Sequence, residues 1–281
     1  MAYRTLVDVE ALAQHGDDPK WVVIDCRHSL ADFSQGRRLY EESHIPDAFF
    51  ADVERDLAGA KTGANGRHPL PDPEAFAAFL RDCGVSHDSQ IVAYDAGADM
   101  FAARLWFLSR WIGHEAVAVL DGGFQAWKDA GMQVTAAPSI DTKLGDLQVR
   151  LHSELVVDAQ FVLENTGAKA ICLVDARAAD RFAGENETID PVAGHIPGAR
   201  NRPFKEIFRD DGRFRTADEL RRRFEGLGAA QHIVHQCGSG VSAAVNLLAM
   251  EIAGLRGSRL YAGSWSEWIA DTSRPVTTGA Q

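Results

Sequence analysis

Cysteine is scarce in this sequence, with four among 281 residues, and they stand far apart as Cys26, Cys83, Cys172 and Cys237. No two share the short spacing of a metal site, and a chain this long has core enough to do without a disulfide framework, so reduced thiols are expected. The ten histidines form no ligand-spaced cluster, which argues against a metalloenzyme. Positive charge is in deficit: 29 Lys and Arg against 40 Asp and Glu leave a formal −11. A duplex-binding protein needs a basic face, so this composition argues against nucleic acid as a partner, whereas a small anion needs only one locally positive pocket. No dinucleotide-type glycine motif follows an early strand. No apolar run approaches the roughly 18 residues of a membrane span, and no basic segment with an apolar core opens the sequence. A cytoplasmic protein is expected, with no metal, no cofactor, no nucleic acid and no membrane partner.

What the chain does have is an internal repeat. Val22-Val23-Ile24-Asp25-Cys26-Arg27 is echoed by Ile171-Cys172-Leu173-Val174-Asp175-Ala176-Arg177, and His44-Ile45-Pro46-Asp47-Ala48 by His195-Ile196-Pro197-Gly198-Ala199. Ile91-Val92-Ala93-Tyr94-Asp95 corresponds to Ile233-Val234-His235-Gln236-Cys237. Leu120-Asp121-Gly122-Gly123-Phe124 corresponds to Tyr261-Ala262-Gly263-Ser264-Trp265. Four landmarks in the same order define a tandem duplication: a first domain over 1–136, a linker over 137–152 and a second domain over 153–281. Short β-prone runs alternate with apolar-periodic helical segments in each half, so the fold class is α/β, with two mostly parallel sheets flanked by helices. Arg27 and Arg177 follow acidic strand ends and read as ion-pair partners. His195 reads as structural.

The chemistry concentrates after Ile233-Val234, where Cys237 opens a loop of Gly238, Ser239, Gly240, Val241 and Ser242 ahead of a helix-forming run. Backbone N–H groups at such a helix start lack intrahelical partners and favour a thiolate and a bound anion. A buried core cysteine is the plainer alternative, but a core strand has no need of two glycines directly after its end. The corresponding slot in the first half is Asp95, which cannot act as a soft nucleophile and can act as a helix N-cap. A phosphatase loop would require an arginine six residues after the cysteine; Ala243 stands there.

These residues resemble the two-domain rhodanese-like sulfurtransferases, particularly the 3-mercaptopyruvate branch. The resemblance spans nearly the whole chain. It implies a catalytic second domain, an inactive first one and an active site at their interface, with Cys237 accepting a sulfane sulfur and residues 238–242 cradling the persulfide and its anionic transition state. A small anionic donor and a thiol, thioredoxin-like or cyanide acceptor follow as partners. In the mercaptopyruvate branch a loop serine works with a histidine and an aspartate of the first domain. Ser239 matches the serine, His44 is taken for the histidine and Asp32 is the nearest aspartate. Arg181 matches a carboxylate-binding arginine. The second family arginine has no counterpart in Gly184–Pro191, which keeps thiosulfate in play as donor. Arg67, beside His68 and Pro69 in the long first-domain loop, is a secondary candidate for substrate binding. Trp265 is a candidate cleft residue, although Trp265 and Trp268 together also form a core pattern. A non-catalytic rhodanese-like binding or sulfur-relay module is the competing class, and the intact cysteine loop counts against it.

Overall fold

A computed structural model describes residues 2–139, 143–167 and 170–280. The chain divides into two compact units. The first comprises 1–59, 71–152 and 209–214, and the second 60–70, 153–208 and 215–281.

In the first unit, strands β1 (Leu6–Val7), β2 (Trp21–Asp25), β3 (Phe49–Phe50), β4 (Gln90–Tyr94) and β5 (Val117–Leu120) alternate with helices α1 (Val9–Gln14), α2 (Gln35–Glu42), α3 (Pro73–Asp82), α4 (Phe101–Trp111) and α5 (Gly123–Asp129). The second unit repeats the plan. Its strands are β6 (Val156–Val157), β7 (Cys172–Asp175), β8 (Arg200–Asn201), β9 (Ile233–Gln236) and β10 (Arg259–Tyr261). Its helices are α6 (Ala159–Gly167), α7 (Ala179–Ala183), α8 (Ala217–Arg223), α9 (Ala243–Ile252) and α10 (Ser264–Trp268). The strand orders are β1-β5-β4-β2-β3 and β6-β10-β9-β7-β8, one order written twice. Register repeats as well: Asp25 lies opposite Tyr94, and Asp175 opposite Gln236, in parallel pairs.

The local chemistry explains these elements. β4 and β9 are buried along their whole length, as expected of central strands in a parallel sheet covered on both faces. Helix α3 starts where Asp72 accepts the N–H groups of Glu74 and Ala75 and Pro73 takes the first helical position, where its missing N–H costs nothing. The first core gathers Val23, Val92, Tyr94, Phe124 and Trp127, and the second Leu173, Phe182, Val234, Trp265 and Trp268. In both units a buried Asp–Arg pair closes the end of the strand beside the central one, β2 or β7. Arg27 Nη2 lies 2.6 Å from Asp25, and Arg177 Nη2 2.7 Å from Asp175. Removing one partner of such a pair typically costs about 3–5 kcal/mol.

Two boundaries differ from the sequence expectation. The described part of the expected linker 137–152 packs as part of the first unit; residues 140–142 lie outside the described residues. Gly145 N–H donates to Arg81 O at 2.9 Å, and Arg150 N–H to Ile112 O at 2.8 Å. The second difference matters more for the chemistry. Residues 60–70, from the first half of the sequence, belong to the second unit, and residues 209–214, from the second half, belong to the first. Neither segment carries the periodicity of a helix or strand, so only tertiary structure assigns them. Among the described residues no helix is long and apolar enough to cross a membrane, and no group of three or more His, Cys, Asp or Glu could hold a metal ion.

Candidate active site

Strand β9 ends at Gln236 and delivers Cys237, buried, to a six-residue loop ahead of α9. The turn that starts α10 holds this loop from below. Cys237 N–H donates to Ser264 Oγ at 3.1 Å, and Ser264 Oγ donates to Tyr261 O at 2.9 Å. Trp265 N–H donates to Cys237 O at 3.0 Å and Ser266 N–H to Gly238 O at 2.9 Å. Ser264 adopts a left-handed φ of 53°, a conformation that costs on the order of 1–3 kcal/mol for a non-glycine residue; its two hydroxyl hydrogen bonds offset that cost and fix the backbone of Cys237.

Gly240 N–H donates to Cys237 Sγ at 3.1 Å. The amides of Gly238, Ser239, Val241 and Ser242 donate to no acceptor among the described residues, so four N–H groups are available to an anion at the sulfur. The first unit shows what the same loop does without a thiol. There Asp95 turns its carboxylate inward and accepts Gly97 N–H and Ala102 N–H, each at 3.0 Å. The aspartate caps its own loop and helix, so its carboxylate already occupies N–H groups of that loop.

Gly240 is required for two separable reasons. Its φ is 77°, and a Cβ added there would lie 2.2 Å from Ala262 O. Ala98, three residues after Asp95 as Gly240 is after Cys237, has φ 50°, so the dihedral alone is bearable and the backbone clash decides. Gly240→Ala is therefore expected to destabilise the protein by roughly 2–4 kcal/mol and to lower persulfide yield. Denaturant unfolding together with intact-protein mass spectrometry checks this; an unchanged unfolding midpoint would refute it.

Ser239 points to His68. Ser239 Oγ and His68 Nδ1 share a hydrogen bond of 2.8 Å, and both side chains are buried. This corrects the expectation that His44 serves as the serine's partner. His44 Nδ1 lies 2.6 Å from Tyr40 O and Nε2 2.9 Å from Ala137 O, with the ring stacked on Tyr40. Its counterpart His195 does the same work, with Nδ1 2.8 Å from Phe182 O and the ring stacked on Phe182. Both His-Ile-Pro histidines are packing residues, each beside an antiparallel bridge, His44 to Thr135 and His195 to Thr277. Asp32 is likewise committed elsewhere. It is exposed, accepts from Ser34 and Arg38, and is lowered to about 2 chiefly by Arg38. Trp265 is not a cleft residue: it is fully buried, donates to Val192 O at 3.0 Å and lies under the Arg177 guanidinium.

Two guanidinium groups overlook Gly238. A Cβ on Gly238 would be 2.9 Å from Arg67 Nη2 and 3.8 Å from Arg181 Nη1. Neither nitrogen is hydrogen-bonded to a described residue. Two carboxylates hold both groups from behind. Glu187 grips Arg181 in a fork at 2.9–3.2 Å, while Asp190 accepts from Arg181 Nη2 at 3.1 Å and from Arg67 Nη1. Arg67 N–H donates to Ser266 Oγ at 3.0 Å, tying residues 60–70 to the same turn that supports Cys237. Burial lowers the Arg67 pKa, yet an arginine remains charged in any ordinary medium. The 184–191 stretch holds no arginine, and the second guanidinium beside Gly238 is that of Arg67. His68 was readable only as a neighbour of Arg67 in a loop rich in glycine and proline. The other cysteines are poor nucleophiles: burial raises Cys26 well above its ordinary value, Cys83 to about 12 and Cys172 less.

Fold and site together define a class: two copies of a parallel-sheet unit, one of which carries a buried cysteine thiol in an amide-lined loop ahead of a helix. The chain belongs to the rhodanese-like domain family, which matches residues 8–130 and 158–271, and it is a sulfurtransferase acting through a persulfide on cysteine. It is 47% identical over 284 residues to a probable 3-mercaptopyruvate sulfurtransferase of Pseudomonas aeruginosa, covering 99% of this chain and 100% of the relative. It is 36% identical over 279 residues to a putative thiosulfate sulfurtransferase of Mycobacterium tuberculosis, covering 98% of this chain and 96% of the relative. The crystal structure of the 3-mercaptopyruvate sulfotransferase SseA from Escherichia coli superposes with a TM-score of 0.82 at 34% identity, covering 94% of this chain and 99% of the other.

Proposed function

We propose that the sulfur donor is 3-mercaptopyruvate and that Cys237 is the residue that carries the sulfur. The observation that carries this reading is the pair formed by Ser239 and His68 beside Cys237, with two guanidinium edges over Gly238. No cationic side chain follows the cysteine directly, since Gly238 and Ser239 stand there, so the positive charge lies where a donor's carboxylate end would reach it. Arg67 and Arg181 hold that carboxylate through planar N–H forks. The Cys237 thiolate attacks the donor sulfur, an S–S bond forms and the C–S bond breaks. The released electron pair becomes the enolate of pyruvate, which takes one proton. Ser239, hydrogen-bonded to His68, transfers that proton, and the loop amides stabilise the charge on the outer sulfur. An acceptor thiolate or cyanide then attacks the outer sulfur and regenerates the Cys237 thiolate; a thioredoxin-like dithiol is a suitable acceptor of this class.

Thiosulfate is the competing donor. Its cleavage releases sulfite, which needs no proton at carbon, so the two donors differ in their need for Ser239. Ser239→Ala is expected to lower kcat/KM for mercaptopyruvate by about 10²-fold or more, the usual worth of positioned proton transfer, and to lower thiosulfate turnover far less. Steady-state assays of both donors with cyanide as acceptor test this. Equal losses on the two donors refute the proton-transfer role, and a wild-type preference for thiosulfate refutes the donor.

A further inference from the structure

The two arginines over Gly238 and the neighbouring Arg177 are balanced one for one by carboxylates. Arg67, Arg177 and Arg181 face Asp175, Glu187 and Asp190, and within this set Arg177 is closed off between Asp175 and Glu187. Asp190 differs from the other two carboxylates in its partners. One of its oxygens accepts from Arg67 and the other from Arg181 at 3.1 Å, so it joins a residue of the 60–70 segment to a residue of α7. Its side chain is almost wholly buried, whereas those of Arg67 and Arg181 retain 31% and 18% exposure. The carboxylate therefore works from behind, and the guanidinium edges are what a ligand meets. Asp190 is also held in position: Glu187 Oε1 accepts the N–H groups of Ile189 at 2.9 Å and of Asp190 at 3.0 Å, and Pro191 restricts the backbone of Asp190, the residue before it.

We propose that Asp190 sets the charge preference of the donor site: it fixes Arg67 and Arg181 side by side and cancels one of their charges, which favours a monoanionic keto acid over a dianionic donor. The inference rests on the reading that these two arginines receive the donor's anionic end. With Asp190 ionised, the guanidiniums and their backing carboxylates sum to zero, and a second negative charge on the donor finds no additional cation. Without that carboxylate the site gains one positive charge. Such a gain acts on every anion, but a dianion feels it twice as strongly as a monoanion. Asp190 touches no substrate and acts only through the two arginines, as a positioning residue.

The test is the ratio of kcat/KM for thiosulfate to that for mercaptopyruvate in Asp190→Asn, Asp190→Glu and Arg67→Gln, with far-UV circular dichroism confirming folding. Asp190→Asn keeps the shape and removes the charge; the ratio should rise about tenfold, chiefly through a lower KM for thiosulfate. Asp190→Glu keeps the charge and should leave the ratio within about threefold of wild type. Arg67→Gln leaves a neutral hydrogen-bond donor beside Asp190, whose carboxylate keeps Arg181 as partner, and should lower the ratio by about tenfold. An Asp190→Asn variant that loses activity equally on both donors, or an Arg67→Gln variant with an unchanged ratio, overturns the proposal. Should Asp190→Asn fail to fold, the Arg67→Gln ratio decides alone. Failure of the donor reading shows up separately, as wild-type protein that prefers thiosulfate, and leaves the direction of these ratio changes intact as a test of charge.

Discussion

Cys237→Ser loses sulfur transfer from every donor, by roughly 10⁴-fold or more in kcat/KM, while the protein remains folded. A serine hydroxyl at this position is far less acidic than a thiol and forms no persulfide, so the step that splits donor cleavage from acceptor attack disappears. The supporting bonds survive the change, because the backbone of residue 237 holds Ser264 and Trp265 through its own N–H and C=O. Mass spectrometry of the wild-type protein after donor treatment should show a single added sulfur on the peptide containing Cys237. Cys26, Cys83 and Cys172 should remain unloaded, since burial raises the pKa of each and withholds the thiolate. Sulfur found on any of those three, or transfer persisting in Cys237→Ser, would falsify the assignment.

His68→Gln is expected to reduce mercaptopyruvate turnover by about 10²-fold with little change in thermal stability, and His44→Gln to show the opposite pattern. The contrast follows from what each ring touches. His68 meets a hydroxyl in the cysteine loop. His44 meets Tyr40 O and Ala137 O through its two ring nitrogens and stacks on Tyr40, so its loss leaves the buried Tyr40 carbonyl unsatisfied at a cost of about 1–3 kcal/mol. Turnover and melting temperature measured on both variants decide the matter. A His44→Gln enzyme that is stable but inactive on mercaptopyruvate would reinstate His44 as the serine's partner.

The strands, their parallel pairing and the cysteine loop were legible in the sequence because each rests on local chemistry: β-branched runs such as Trp21–Ile24 and Ile233–Val234, and glycines directly after a strand end. The repeat added topology, since the same landmarks in the same order require the same strand order twice. The histidine was misread for a reason that the repeat itself contains. His44 has an echo in His195, and a residue present in both halves serves what both halves need, which is folding. Cys237 breaks the symmetry against Asp95, and chemistry confined to one site should do so. Arg67 and His68 have no echo among the paired landmarks, yet their loop carries no periodic signal and their partners lie 199 and 171 residues away. Arg67 is a secondary candidate in the sequence because it lies in a long loop without periodicity, far along the chain from Arg181; the guanidinium beside Arg181 at Gly238 comes from that loop.

The segments that change units carry a consequence for synthesis and inheritance. Residues 209–214 complete the first unit, where Phe214 N–H donates to Asp121 at 2.8 Å and Arg213 packs on Gly122. A ribosome must therefore translate past residue 214 before the N-terminal unit has all its parts, and the usual order, in which the earlier domain finishes first, does not hold here. Recombination meets the same constraint. A crossover at the midpoint of the gene transfers Cys237, Arg181 and Asp190 without Arg67 and His68, so the two halves of the repeat cannot be exchanged as separate modules.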